Sequence, residues 1–157
     1  MSGLNHVSEG GRARMVDVSG KEVTARTSTA RGYLTCKVQT LDQVREGTVS
    51  KGAVISTAEL AGVMASKRTA ELIPLCHPLP LTTIEVRIAI DDALPGLRVE
   101  SRAATKAETG VEMEALTAVS IACLTLFDML KAIDRTMVIG GIEVTSKTGG
   151  KSGGWFR

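Results

Sequence analysis

Asp128 and Lys131 lie three residues apart in a stretch with helical periodicity, so a carboxylate and an ammonium neighbour each other on one face. Such a couple can take up and return protons. The same stretch opens with Glu112-Met113-Glu114. At about 100° per residue Asp128 falls roughly 40° from Glu114, with Thr117 and Thr125 near the same azimuth, which makes a polar stripe beside the apolar one. On spacing alone a solvated face with a surface ion pair is the more economical reading, because such pairs are common and weak. Glu112 and Glu114 are likewise accounted for by the positive end of a helix dipole. Chemistry here needs a partner set from elsewhere in the chain.

The run Ile73-Pro74-Leu75-Cys76-His77-Pro78-Leu79-Pro80 offers one. Proline fixes its own φ and drives the preceding residue toward extended backbone, so Ile73 and His77 leave any helix and a stiff loop presents the imidazole. Histidine can serve there as acid, base or anion donor, although a lone loop histidine is more often structural. Cys76 next to His77 suggests a nucleophile and base, but adjacent side chains in an extended loop point apart, which argues against a thiol enzyme. Lys51-Gly52 precedes another helical stretch, where free N–H groups and a lysine could hold phosphate, or where a solvated lysine stands beside a glycine. The tail run Gly149-Gly150-Lys151-Ser152 resembles the end of a phosphate loop, yet Thr145 stands at the leading glycine position and no helix follows. It reads as a flexible basic flap that closes on an anion through Lys147 and Lys151. One histidine with scattered cysteines does not make a metal site, and no metal ligand set is expected.

Composition removes several function classes. The 157 residues are 43% apolar, enough for one domain with a real core over 1–157. A net charge of +2 with both signs interspersed gives no electrostatic footprint for nucleic acid. With only 3% aromatic residues, stacking platforms for single strands are hard to build. Cys36, Cys76 and Cys123 are an odd set without a CxxC pair, which suits reduced thiols in a cytoplasm. No basic segment leads into an apolar signal core, and no apolar run is expected to reach the length of a bilayer span.

The positioning elements follow from periodicity. Residues 1–14 read as a mobile arm and 148–157 as a flexible tail. A β-prone run covers Gly32 to Gln39, and Thr40-Leu41-Asp42-Gln43 looks like a capping-box start for a short helix ending at Gly47. Ser50 to Leu72 carries Val54, Ala58, Ala61 and Ala65 at helical spacing and predicts one long helix. Ile84, Val86, Ile88 and Ile90 alternate with charged residues, Leu94-Pro95-Gly96 turns, and Leu97, Val99, Ser101 and Ala103 alternate on the return. Val111, Ala115, Ala118, Ala122, Leu126, Met129 and Ile133 mark a second long helix, and a last strand covers Met137 to Thr145. Strand, helix, strand, strand, helix, strand is the order of an α+β ferredoxin-like split βαβ sandwich, with an antiparallel sheet and two long helices on one face. Leu124 and Phe127 lie off the main apolar stripe, so the second helix is expected to be buried on two sides, one of them by another subunit.

Five segments then resemble a known family in order along nearly the whole chain. They are Met15-Val16-Asp17-Val18-Ser19, Lys51-Gly52 followed by Ala65-Ser66-Lys67-Arg68-Thr69, Leu72-Ile73-Pro74-Leu75-Cys76-His77-Pro78-Leu79, Thr109-Gly110-Val111-Glu112-Met113-Glu114-Ala115-Leu116 and Asp128-Met129-Leu130-Lys131-Ala132. They resemble the cyclic pyranopterin monophosphate synthases, the molybdenum cofactor biosynthesis protein C family. The resemblance implies a ferredoxin-like subunit in a homohexamer of three dimers with sites at subunit interfaces. It implies a lyase-type cyclase that converts 3′,8-cyclo-7,8-dihydro-GTP to cyclic pyranopterin monophosphate and releases pyrophosphate.

Residue by residue, the resemblance makes Asp128 the general acid/base, flanked by Lys51 and Lys131. Leu75, Cys76, His77, Met113 and Glu114 match substrate-contacting segments, with Glu112 beside them. Arg26, Lys67, Lys147 and Lys21 fall where basic residues would meet a triphosphate. No tightly bound cofactor is implied, and a Mg²⁺ riding on the triphosphate is compatible with the site. The arm before Met15, the turn from Asp92 to Leu97 and the end after Ser152, with Trp155-Phe156, are weakly matched. A nucleotide-sensing module that binds without turnover would use the same basic pocket.

Overall fold

A computed structural model describes Val7, Ser8 and residues 10–157. Residues 1–6 and 9, part of the expected mobile arm, lie outside the described residues. Within the arm Val7 and Ala13 form an antiparallel bridge.

The elements are β1 (Thr24–Thr35), α1 (Val38–Glu46), α2 (Val54–Ser66), α3 (Thr69–Leu72), β2 (Leu81–Asp91), β3 (Gly96–Ala107), α4 (Glu112–Leu130), β4 (Val138–Thr148) and β5 (Trp155–Phe156). The strands form one antiparallel sheet in the order β2-β3-β1-β4-β5. Its first four members are ordered as in the expected ferredoxin-like fold, with α2 and α4 packed on one face.

Alternation builds that face. Along β3, Leu97, Val99, Ser101, Ala103, Thr105 and Ala107 are buried, while Arg98, Glu100, Arg102 and Lys106 are exposed. Against this layer α4 buries Ala115, Ala118, Ala122, Leu126 and Leu130. Small residues let α2 come close: a Cβ on Gly62 would stand 2.8 Å from the Ala118 carbonyl oxygen, so only glycine fits that crossing.

Several boundaries differ from expectation, each for a physical reason. The first strand begins at Thr24 rather than Gly32 and ends at Thr35. Its early buried positions are Arg26 and Ser28, so polarity does not alternate where burial does. The short helix starts at Val38 with Lys37 as its N-cap, and the capping box at Thr40 does not form. The carboxylate of buried Asp134 takes the Lys37 N–H (2.9 Å) and the Thr40 hydroxyl (3.1 Å) instead, a cap supplied from far along the chain. The helix expected from Ser50 to Leu72 is two helices. Ser66 donates its hydroxyl to the Val63 carbonyl and Thr69 to that of Ser66, local bonds that help break the helix at Lys67-Arg68.

Two further corrections concern α4 and the tail. By length and composition α4 is apolar enough to cross a membrane, contrary to the expectation that no run approaches that length. Here it is the core helix of the domain, packed against α2 and the sheet. Leu124 on its outer side is exposed in the single chain, and Phe127 is half-buried. The tail folds back: Trp155 pairs with Lys147 and Phe156 with Ser146 on β4.

Candidate active site

The last turn of α4 places Asp128 between two lysines. The Lys131 ammonium, one turn on, meets Oδ1 at 2.7 Å, and Lys51 from the turn before α2 meets Oδ2 at 2.8 Å. Lys51 also donates to the Asp128 carbonyl at 3.0 Å, satisfying one of the acceptors a helix C-terminus leaves free. Lys51 is therefore an arm reaching the end of α4 and not a phosphate holder at the start of α2. The hydrogen bonds from Lys131 and then Lys51 hold the Asp128 carboxyl down at about 2, so it is an anion at neutral pH.

The opposite end of α4 carries a different set. Glu114 is buried and one carboxylate oxygen has no hydrogen-bond partner, and burial pushes its carboxyl up to about 7, against a backbone hydrogen bond that lowers it. A carboxyl so placed can hold a proton near neutral pH and donate it in a hydrogen bond. It lines a hollow of about 130 Å³ with Lys67, Thr69 and Pro78. Cys76 stands close enough that burial, Glu114 and Glu112 all raise its thiol pKa, which suits a neutral side chain and not a nucleophile. Leu75 is half-buried beside it and Met113 exposed.

His77 does not reach the Cys76 thiol. Its Nε2 lies 2.8 Å from the Val16 carbonyl. A carbonyl only accepts, so Nε2 carries the proton and the loop pins Val16 to the proline-framed turn.

Beside Glu112 a cleft of about 450 Å³ opens between the start of β1, the 109–112 turn and the 150–152 turn. Four cations line it, Lys21, Arg26, Lys147 and Lys151, against the carboxylates of Glu22 and Glu112. Lys147 forms an ion pair with Glu112. Arg26 is buried and donates from Nε to the Ala107 carbonyl (3.0 Å) and from Nη2 to that of Glu108 (2.9 Å). Those bonds fix the guanidinium as a rigid wall of the cleft. Glu22 and Thr24, also on the wall, carry no sequence signal because they become neighbours of Glu112 only when β1 pairs with β3.

The structure thus gathers the expected residues into two groups. Asp128, Lys51 and Lys131 form one. Glu112, Lys147, Arg26 and Lys21 surround the cleft of the other, with Glu114 and Lys67 in the smaller hollow and Cys76 near both glutamates. The sixteen helical steps of α4 from Glu112 to Asp128 separate them by about 24 Å within one chain. The polar stripe does not join them, since Thr117 and Thr125 spend their hydroxyls on the Met113 and Ile121 carbonyls. Among the described residues, no three His, Cys, Asp or Glu side chains converge as a metal cage.

A model of the MoaC family matches residues 15–150. The chain is 57% identical over 153 residues to a cyclic pyranopterin monophosphate synthase of Cereibacter sphaeroides strain KD131, covering 98% of this chain and 96% of the relative. It is 56% identical over 156 residues to a protein of the same name from Brucella ovis, covering 99% and 94%. These matches span both groups of site residues, and the chain belongs to the MoaC family of enzymes.

Proposed function

We propose that this enzyme acts in molybdenum cofactor biosynthesis, converting 3′,8-cyclo-7,8-dihydro-GTP to cyclic pyranopterin monophosphate with release of pyrophosphate. The carboxylate of Asp128 held between Lys51 and Lys131 carries the reading. Rebuilding a purine-derived ring requires protons to leave some atoms and arrive at others. Asp128, kept ionised by its partners, accepts a proton, and the flanking ammonium groups are donors within a hydrogen bond of it.

The basic cleft supplies the second requirement. Forming a cyclic phosphate expels pyrophosphate, and the charge that builds on this leaving group must be met by cations. Arg26, Lys21 and Lys147 line such a space, with Lys67 in the adjoining hollow. Lys147 exchanges Glu112 for phosphate when substrate enters. A protonated Glu114 donates to an acceptor on the ring system, with Leu75, Cys76, His77 and Met113 at the same end of α4. A Mg²⁺ arriving with the triphosphate would offset part of its charge, with no dedicated protein cage needed.

Because the two groups lie about 24 Å apart in one chain, each site draws them from neighbouring subunits. The exposed Leu60 and Met64 on α2 and Leu124 on α4 are apolar surface that such contact would cover. The assembly is a homohexamer of three dimers. Free Cys36, Cys76 and Cys123 suit the cytoplasm.

The test is incubation of the purified protein with 3′,8-cyclo-7,8-dihydro-GTP. Pyrophosphate and the fluorescent pterin obtained by oxidising the product should appear together. Saturable binding with neither signal would replace the synthase by a nucleotide sensor.

A further inference from the structure

Lys151 and Ser152 lie beyond the family match at 15–150 and yet line the cleft, and β5 follows directly after them. A two-residue strand is too short to hold itself by ladder bonds alone. β5 is fastened by Arg157, whose N–H donates to the Thr145 carbonyl (2.9 Å) and whose guanidinium meets Glu143 at 2.5 Å while lying 5.8 Å from the Trp155 ring centroid. Glu143 is itself tied to Arg31 on β1 (2.6 Å). Phe156 is 75% exposed, so β5 is not there to fill the core.

The turn that β5 fastens forms one wall of the cleft. Gly149, Gly150 and Gly153 all have positive φ, at +89°, +80° and +71°, which lets the chain reverse tightly. A Cβ on Gly150 would stand 2.5 Å from Nη1 of Arg26, so the turn lies directly on the fixed guanidinium. Its Lys151 and Ser152 face the same space as Lys21 and Lys147. One end of the turn continues β4 through Lys147, and the other is the strand paired back to Lys147. Both ends are therefore anchored at the same place on the sheet.

We propose that β5 is a latch: Trp155, Phe156 and Arg157 hold the 149–153 turn as a strap over the cleft, so that Lys151 becomes a fourth cation for the pyrophosphate portion of the substrate. The three latch residues are positioning residues. They touch neither phosphate nor reacting atoms and act by removing freedom that an untethered strap would lose on binding. The inference rests on the cleft being the phosphate site.

The experiment titrates inorganic pyrophosphate into the intact protein and into a chain ending at Gly154, by calorimetry at low salt. The shortened chain should bind about tenfold more weakly, and with the cyclised nucleotide its KM should rise by a similar factor while kcat holds. Lys151→Ala should lose as much, and combining it with the truncation should add nothing. Glu143→Gln, which removes the ion pair of Arg157 without shortening the chain, should give a smaller loss in the same direction. Equal affinity in the intact and shortened chains, or no loss in Lys151→Ala, overturns the latch and leaves the cleft standing. Failure of the intact protein to bind pyrophosphate overturns the cleft reading itself, and the latch with it.

Discussion

Lys51 touches Asp128 twice, at the carboxylate Oδ2 and at the backbone carbonyl, so the turn before α2 and the last turn of α4 are held as one unit. With Lys131 on the other oxygen, the carboxyl stays ionised far below neutral pH. Asp128→Asn removes the acceptor and keeps the shape. We expect pyrophosphate release to fall by at least about a hundredfold, with the melting temperature and assembly unchanged, because all three groups are on the surface. Near-normal turnover would take Asp128 out of the mechanism.

The same triad sets a titration. Lys131 is the largest influence on Asp128, ahead of Lys51. In Lys131→Met the Asp128 carboxyl should therefore titrate well above about 2, moving toward its ordinary 3.8. Carboxyl-carbon NMR measures this in the wild type and the variant. An unmoved midpoint would mean that Lys131 does not pair with Asp128 in solution.

Glu114 gives a pH dependence of opposite sign. Its carboxyl is raised to about 7 in the fold from an ordinary 4.5, chiefly by burial, so the native state binds more protons than the unfolded chain between those values. Stability should fall as pH rises from about 4.5 to about 7 and level off above. Glu114→Gln cannot titrate and should lose that part of the slope. Urea unfolding of both proteins across this window checks it, and parallel curves would show that Glu114 is ionised in the fold.

Asp134 behaves in the reverse way. Burial raises its carboxyl, but hydrogen bonds from Lys37, Thr136 and Thr40 outweigh that and bring it to about 2. Its stabilising contribution is thus complete above 3.8 and lost as pH falls through about 2. Asp134→Ala should cost on the order of 2–3 kcal/mol at neutral pH, since it strands buried donors on α1 and the 134–136 turn. Thermal unfolding measures the loss, and a change below the error of the measurement would show that water replaces the carboxylate.

What was legible in the sequence followed the physics of alternation and spacing. The β2–β3 hairpin was readable because polarity and burial alternate together from Ile84 to Ala103. The pairing of Asp128 with Lys131 was readable because it is local. The start of β1 was not, because its inward-facing positions are the polar Arg26 and Ser28. The cap from Asp134 and the reach of Lys51 join residues far apart in the chain, which periodicity cannot report. Trp155-Phe156 gave no signal because a two-residue strand has no period.

The division of the site between the ends of α4 leads to the most discriminating prediction. Lys51 and Asp128 meet within one chain, so mixing Lys51→Ala with Asp128→Asn protein places a damaged triad in every site and should restore nothing. Glu112 and Glu114 are about 24 and about 21 Å from Asp128 along the same helix, so under the proposed shared site they serve a triad from the neighbouring subunit. Mixing Asp128→Asn with Glu114→Gln by unfolding and refolding should therefore rebuild activity. Random pairing makes half the dimers mixed, and each mixed dimer holds one site with both defects and one with neither, so about a quarter of wild-type turnover is expected. Recovery from the first mixture, or none from the second, would mean that the halves of the site are not shared between subunits in this way.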